Sequence, residues 1–284
     1  MPTWIFAMLV AAGMVKPPDL DRILHEVAEN QAKSQDLRLH FLYTQKQLLR
    51  LIRANGKLAR EERREYTILP KQRGTNRVLA HFEGRYAAGK EFVAYDKPGY
   101  QYKKMDIDGG LIDGLAQDLM SNKRSNDGIG SDLFPLTYHQ QLKYDFRFVA
   151  AENYRGRAVY RLAFVPKKGQ EEEASWKGEA LIDAVEFEPV LVTTSLAWKI
   201  PKAVQILLGT NIRGLGFSVS YQRFAEKVWF PVSYGGEFEV RGLFFYRRTI
   251  ALALANSNFR HTDVSSDVAY EKDAKEDTAG KDEK

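Results

Sequence analysis

Histidine and acidic residues are the side chains of this sequence that are suited to metal or acid–base chemistry. None of the five histidines lies three or four positions from another, so the sequence contains no helical metal-binding pair. The stretch Asp106-Ile107-Asp108-Gly109-Gly110, followed by Asp113, partly resembles a calcium loop, but its glycine spacing is wrong and the distal glutamate of an EF-hand is missing. We therefore expect no metal site.

Motifs for nucleophiles and bound phosphates are also missing. The sequence has no G-x-S-x-G, no P-loop and no H-E-x-x-H, and Gly214-Leu215-Gly216 lacks the third glycine of a dinucleotide-binding turn. The chain has no cysteine, which excludes disulfides, thiolate zinc sites, iron–sulfur clusters and a lipidated N-terminal cysteine. We expect a protein without catalytic residues or cofactors. A hydrolase with an unrecognised site is the least favoured alternative, and it would need a polar cleft with a buried ionisable pair.

Basic residues do not indicate a nucleic-acid partner. The net charge is +5, but 42 basic and 37 acidic residues are mixed along the chain. In Phe244–Arg248, a strand would place Phe244, Tyr246 and Arg248 on one face and the other two residues on the opposite face. The charged run 60–65 predicts a solvated sheet face with cross-strand ion pairs.

The composition is that of a folded protein. Of the 284 residues, 44% are apolar and 12% are aromatic, which excludes collagen-like and fully disordered chains. No apolar run approaches the roughly 18 residues of a membrane-spanning helix. Residues 4–15 form an apolar run of signal-peptide length, so we expect residues 1–13 to be a signal peptide, with a buried N-terminal element as the alternative. The last 14 residues, 271–284, carry ten charges and predict a disordered tail.

One helix is predicted near the start of the mature chain. Asp19 is a plausible N-cap, and Leu20, Ile23, Leu24 and Val27 share one helical face. The polar stretch 30–36 predicts the end of this helix. From residue 37 the apolar residues alternate, which predicts a strand beginning there.

Strand patterns dominate the rest of the sequence. Asn55-Gly56 between two alternating runs predicts a hairpin with a type I′ turn. Ten or eleven strands with short turns predict one large antiparallel sheet in a single domain, residues 14–270. Apolar helical patterns at 110–120 and 201–208 interrupt the strands. If the sheet curves around these helices, its concave face can hold a lipid-like ligand, although a fully packed core fits the same pattern.

Several short motifs follow one another along the chain in a characteristic order. They are helix 20–32 leading into Phe41-Leu42-Tyr43-Thr44-Gln45, the Asn55-Gly56 hairpin with Arg63-Arg64-Glu65-Tyr66, the segment 178–183, Pro189-Val190, and the segments 228–233 and 256–260. Their order over residues 19–262 resembles the LolA/LolB-like envelope proteins, which include the outer-membrane lipoprotein-sorting proteins. The resemblance implies a mainly β (α+β) fold, a half-open antiparallel β-barrel with an N-terminal helix and helical lid insertions.

The same resemblance implies a soluble, monomeric periplasmic carrier that shelters a lipid or the acyl chains of a lipoprotein, with no nucleic acid as partner. An envelope sensor or scaffold that binds a protein partner on the same fold is the alternative. The candidate ligand-binding residues come from the first helix, the strands and the two insertions. They are Leu24, Val27, Phe41, Tyr43, Leu115, Leu119, Trp198, Val204, Leu207, Leu208 and Phe217.

Overall fold

The structure is a computed structural model, and it describes residues 19–71, 75–120, 136–170, 176–197, 211–224, 228–242 and 246–262, without the side chains of 118–120 and 211–213. The expected signal peptide, the expected tail and the expected helix 201–208 lie outside these residues. No helix among the described residues has the length and apolar character needed to cross a membrane.

Three helices and twelve strands make up the described chain. The helices are α1 (Leu20–Arg38), α2 (Ile107–Met120) and α3 (Tyr138–Gln141). The strands are β1 (Phe41–Arg53), β2 (Leu58–Pro70), β3 (Thr75–Ala88), β4 (Glu91–Tyr95), β5 (Tyr144–Tyr154), β6 (Arg157–Pro166), β7 (Trp176–Asp183), β8 (Pro189–Leu196), β9 (Asn211–Arg213), β10 (Gly216–Phe224), β11 (Val228–Gly242) and β12 (Tyr246–His261).

All twelve strands belong to one antiparallel sheet. Its order is β4-β3-β2-β1-β12-β11-β10-β8-β7-β6-β5, with the short β9 paired to β11. The two edge strands, β4 and β5, are consecutive in the chain, and the segment between them carries α2 and α3. The predicted fold class, mainly β with one large curved antiparallel sheet, an N-terminal helix and a helical insertion, is confirmed.

The predicted Asn55-Gly56 turn joins β1 to β2, but the predicted type I′ geometry is wrong, because Gly56 has a positive φ and Asn55 does not. Gly56 has a φ of +79°, and the backbone N–H of Arg53 donates to the carbonyl oxygen of Lys57 at 2.8 Å. The turn fixes the register of the hairpin, which pairs Leu51 with Arg60 and Leu49 with Glu62. Residues of β2 that lie opposite the buried leucines of β1 therefore face the interior.

Helix α1 is longer than the sequence pattern predicts. Its apolar face is confirmed by the buried Ile23 and Val27, but the predicted end at residue 30 is wrong, because the helix continues to Arg38. Gln31, Ser34 and Arg38 continue the buried face of Val27 at helical spacing. These polar side chains are buried against the sheet, so their polarity does not mark a helix end, and β1 begins at Phe41 instead of residue 37.

The main core lies between the sheet and the helices. It contains buried apolar residues of α1, α2, β1, β2, β5–β8 and β10–β12. A separate, smaller cluster consists of Phe41, Val228 and Phe230, with Val232 and Phe259 partly buried against it.

Gly178 on β7 gives a direct test of how closely the strands and side chains approach each other. A Cβ built at this position overlaps the carbonyl oxygen of Thr193 on β8 and comes within 2.9 Å of the Phe164 ring. We expect Gly178→Ala to lower the free energy of unfolding by about 3 kcal/mol, because the backbone of β8 would have to move. Urea denaturation measures this change.

Gly110→Ala is the matched control. Gly110 lies in α2, and a Cβ there meets no atom within 4 Å. Since alanine favours the helix, this variant is expected to gain about 0.5 kcal/mol. Equal effects of the two substitutions would contradict the close approach at Gly178.

Candidate functional site

Four of the predicted ligand-binding residues belong to the main core. Val27 is fully buried and Leu24 packs against the same cluster from α1. Leu115 of α2 and Phe217 of β10 belong to this cluster too. The main core therefore includes residues from the first helix, the helical insertion and the sheet.

Two other predicted residues lie elsewhere. Phe41 belongs to the smaller aromatic cluster, where its ring centroid is 5.2 Å from that of Phe230. Tyr43 packs against Phe259 in the same region, with ring centroids 5.4 Å apart and the rings tilted by 38°. The side chain of Leu119 and the residues Trp198, Val204, Leu207 and Leu208 lie outside the described residues.

Helix α2 covers part of the main core with an apolar face. Leu111, Ile112, Leu115 and Ala116 are buried, at the spacing of one helical stripe. Three acidic residues of this segment bind three arginines of the sheet. They are Asp106 with Arg60, Asp108 with Arg248, and Asp113 with Arg64.

The attachment at Asp108 is a bidentate ion pair. Arg248 donates from Nε and Nη2 to the two carboxylate oxygens, at 2.9 and 3.0 Å. The Tyr246 hydroxyl donates to the same carboxylate at 2.7 Å. Burial and the neighbouring Asp108 carboxylate raise the pKa of Tyr246, so the phenol stays protonated and keeps donating. Tyr246 and Arg248 share one strand face, as the alternation in the sequence predicts.

The apparent calcium loop is therefore a set of helix attachments. Asp106 also accepts a hydrogen bond from the backbone N–H of Gly109 at 3.0 Å, which satisfies a free donor of the first turn of α2. Its three carboxylates, at Asp106, Asp108 and Asp113, bind three different arginines and do not converge on one point. Among the described residues, no group of three or more acidic or histidine side chains is placed to hold a metal ion.

Most of the charged run of β2 is buried, and the predicted solvated face is wrong for four of its six residues, Arg60, Glu61, Glu62 and Arg64. Arg60 is 1% exposed and Glu62 is 0% exposed, and Arg64 lies beside them on the inner face. Arg64 Nε donates to Glu62 at 3.0 Å, and Arg60 Nη1 donates to Asp106 at 2.7 Å. The hairpin register would have shown this arrangement, because these residues pair with the inward-facing residues of β1.

Tyr95 completes this buried ionic cluster. Its hydroxyl donates to Glu62 Oε1 at 2.7 Å and accepts from Arg60 Nε at 2.6 Å. Burial and the Glu62 carboxylate raise the pKa of Tyr95. Each charge in the cluster has an opposite charge in contact, which is the arrangement of a structural network that holds α2 and the β4 end against the sheet.

Helix α1 is attached through a second buried polar group. Glu188, at the start of β8, accepts hydrogen bonds from Gln31 Nε2 and Ser34 Oγ, both at 2.6 Å. Burial raises the pKa of Glu188, and the two hydrogen bonds offset part of that effect. Farther along the helix, Arg38 donates to the carbonyl oxygen of Trp229 at 2.8 Å. The sequence analysis did not single out Glu188, because one glutamate between strands carries no pattern.

Solved structures with a similar fold come from several bacteria. A domain described as an outer membrane lipoprotein-sorting protein domain, from Vibrio parahaemolyticus, is 12% identical, with 88% of this chain and 96% of that chain covered and a TM-score of 0.41. A LolA superfamily protein from Nitrosomonas europaea is 10% identical (85% and 94% covered, TM-score 0.36). A DUF1329 family protein from Desulfovibrio piger is 11% identical (85% and 94% covered, TM-score 0.35).

Two of these three proteins bear names of the kind that the sequence resemblance predicts. Their identities and TM-scores are low, so they say nothing of what this chain binds. No family model matches the chain, and no curated protein matches its sequence.

Proposed function

We propose that the protein is a non-catalytic carrier of the cell envelope that shelters an acyl chain between the concave face of the sheet and helices α1 and α2. The observation that carries this proposal is the way α2 is attached. An apolar stripe of this helix covers the main core, while ion pairs with arginines of the sheet hold the helix in place. The proposed location is the periplasm, because residues 1–13 have the pattern of a signal peptide.

The chemistry of this attachment suits a cover that opens. The Asp108–Arg248 pair is partly accessible to water, which can replace it when that part of the helix moves, whereas the buried Asp106–Arg60 pair keeps the start of the helix in place. An acyl chain that enters the apolar space then gains about 0.8 kcal/mol for each buried CH₂ group. Leu24, Val27, Leu115 and Phe217 are the described residues proposed to contact it.

Native mass spectrometry of the purified protein, with lipid extraction, tests the carrier function. We expect bound lipid, and we expect the emptied protein to take up the fluorescent fatty acid cis-parinaric acid. A protein that is free of lipid and does not take up this probe would overturn the proposal.

A variant of the Asp108 ion pair tests the role of α2. We expect Arg248→Gln to speed the release of cis-parinaric acid about tenfold, because a charge-assisted pair of hydrogen bonds contributes about 1.5 kcal/mol. Stopped-flow transfer to excess lipid vesicles measures the rate. Arg247→Gln is the control, because Arg247 is exposed and pairs with Glu239 on the neighbouring strand. Equal release rates in the two variants would mean that α2 does not gate the cavity.

A further inference from the structure

The loop between β4 and α2, residues 96–106, presents apolar side chains to water. Met105 is 75% exposed, and Tyr102 and Ile107, the first residue of α2, are exposed as well. These three side chains belong to one short stretch of the surface, because they lie within residues 102–107. Exposed apolar side chains that lie together are typical of a surface that binds another molecule.

Contacts on both sides of Met105 hold this loop against one end of the sheet. The Tyr102 ring stacks on that of Tyr86 in β3, with ring centroids 4.7 Å apart. Asp106 accepts a hydrogen bond from Arg60 Nη1 of β2 at 2.7 Å. Tyr86 and Arg60 lie close to the β3–β4 and β1–β2 turns, at what we call the hairpin end of the sheet. Because the chain is anchored before and after it, Met105 stays on the outside of the loop.

The same loop carries positive charge. Lys97, Lys103 and Lys104 are exposed, and no carboxylate among the described residues pairs with any of the three. Of the two acidic residues in the loop, Asp106 is buried in the ionic cluster of β2, which leaves Asp96 as the exposed one. The loop therefore combines an exposed apolar patch with an excess of lysines.

Exposed basic and apolar residues also occur elsewhere along the hairpin end. Lys57 and Lys90 are exposed in the β1–β2 and β3–β4 turns. Because every neighbouring pair of strands is antiparallel, β5 begins and β6 ends at this same end of the sheet. There Leu142 and Val165 are exposed, and Lys167 Nζ donates to the carbonyl oxygen of Leu142 at 3.0 Å. The combination of lysines and exposed apolar side chains is thus present near both edges of the sheet.

The surface of a lipid bilayer matches this arrangement. The residues concerned lie on turns and loops along the end of a sheet, where a planar surface contacts several of them at once. A bilayer with anionic lipids offers phosphate groups to the lysines and, just beneath them, hydrocarbon to the apolar side chains. Both features of the hairpin end are therefore accounted for by one partner.

We propose that the hairpin end docks on the surface of a bilayer that contains anionic lipid. Met105 and Tyr102 enter the interface between headgroups and acyl chains, and Lys103 and Lys104 contact the lipid phosphates. Since α2 begins at this loop, docking places the start of that helix beside the bilayer. The proposal does not depend on the carrier function, because it requires no bound acyl chain.

Sedimentation with lipid vesicles tests the docking of the full-length protein. We expect binding to vesicles of phosphatidylcholine with about one third phosphatidylglycerol, and much weaker binding to phosphatidylcholine alone. Replacing Lys103 and Lys104 together by glutamine should weaken the binding about twenty-five-fold, because each lysine near an anionic surface contributes about fivefold. The control replaces Lys33 and Lys71 by glutamine, which removes the same charge from exposed positions away from the hairpin end, and it should bind like the native protein.

A fluorescent label identifies the part of the protein that enters the bilayer. The chain has no cysteine, so Met105→Cys gives a single site for the environment-sensitive dye NBD. We expect its emission to rise and to shift to the blue when anionic vesicles are added. Val185→Cys is the matched control, because Val185 is 81% exposed in the β7–β8 turn, at the opposite end of the sheet, and its label should not respond.

Three results would overturn the proposal. The first is the absence of binding to anionic vesicles, which would favour a protein partner for this surface. The second is equal binding of the native protein and the Lys103 and Lys104 variant, as expected if the apolar run 4–15 alone held the protein on the vesicle. The third is a label that responds at Val185 and not at Met105.

Discussion

Replacing Glu62 by alanine is expected to lower the free energy of unfolding by about 4 kcal/mol. The variant leaves Arg60 and Arg64 buried beside each other after removal of the carboxylate that Arg64 and the Tyr95 hydroxyl bind. Breaking a buried ion pair from one side costs about 3–5 kcal/mol, because the remaining charge stays desolvated. Urea denaturation at neutral pH measures the difference in free energy of unfolding between the two proteins, with the same m-value assumed for both.

Glu65→Ala on the same strand is the control for this experiment. Glu65 pairs with Lys46 at 3.5 Å, and the side chains are 35% and 63% exposed. An exposed pair of this kind contributes less than about 1 kcal/mol. If Glu62→Ala lowered the free energy of unfolding no more than Glu65→Ala does, the inner face of β2 would be accessible to water, and the buried ionic cluster would be contradicted.

Glu188→Ala is expected to lower the free energy of unfolding by about 3 kcal/mol. The substitution leaves two buried donors, Gln31 Nε2 and Ser34 Oγ, without their acceptor, and each unsatisfied buried donor costs about 1–3 kcal/mol. Glu179→Ala provides the comparison, since Glu179 is partly exposed and pairs with Arg161 on the sheet surface. A loss of similar size in both variants would contradict the attachment of α1 through Glu188.

The pH dependence of Glu188→Gln gives a second measurement at the same position. Because burial raises the pKa of Glu188 in the folded state, folding is favoured while this carboxyl is protonated. That contribution is complete below the unfolded pKa of about 4.3 and is lost as the pH rises through the folded value. Glutamine does not ionise, so the stability of Glu188→Gln relative to the native protein should rise from pH 4 to pH 7. A constant or falling difference would contradict the raised pKa.

Elements whose pattern is local were predictable from the sequence. The Asn55-Gly56 turn, the alternation along β1 and the apolar stripe of α2 depend on neighbouring residues, and the structure contains all three. The hairpin register places Arg60 and Glu62 on the inner face, but the side chains that cover and bind them, Tyr95 and Asp106, come from later in the chain. The sequence of a charged run therefore does not show whether other parts of the protein or water will cover it.

The polar half of α1 shows the same limit. Gln31 and Ser34 look like the solvated end of a helix until Glu188, more than 150 residues later, supplies their acceptor. The burial of Val27, Leu115 and Phe217 was predictable, because burial of apolar residues follows from their type. The ion pairs that attach α2 to the sheet were not predictable, because the two partners of each pair come from different parts of the chain.

The pairing of β1 with β12 has a consequence for how the protein folds. These strands come from opposite ends of the described chain, yet they lie side by side in the middle of the sheet. The hairpins β1–β4 and the strands β5–β8 can form from local contacts, but the two halves join only when the last strand is present. Such a high contact order makes folding slow, and a chain still being synthesised cannot complete the sheet until its final strand is present.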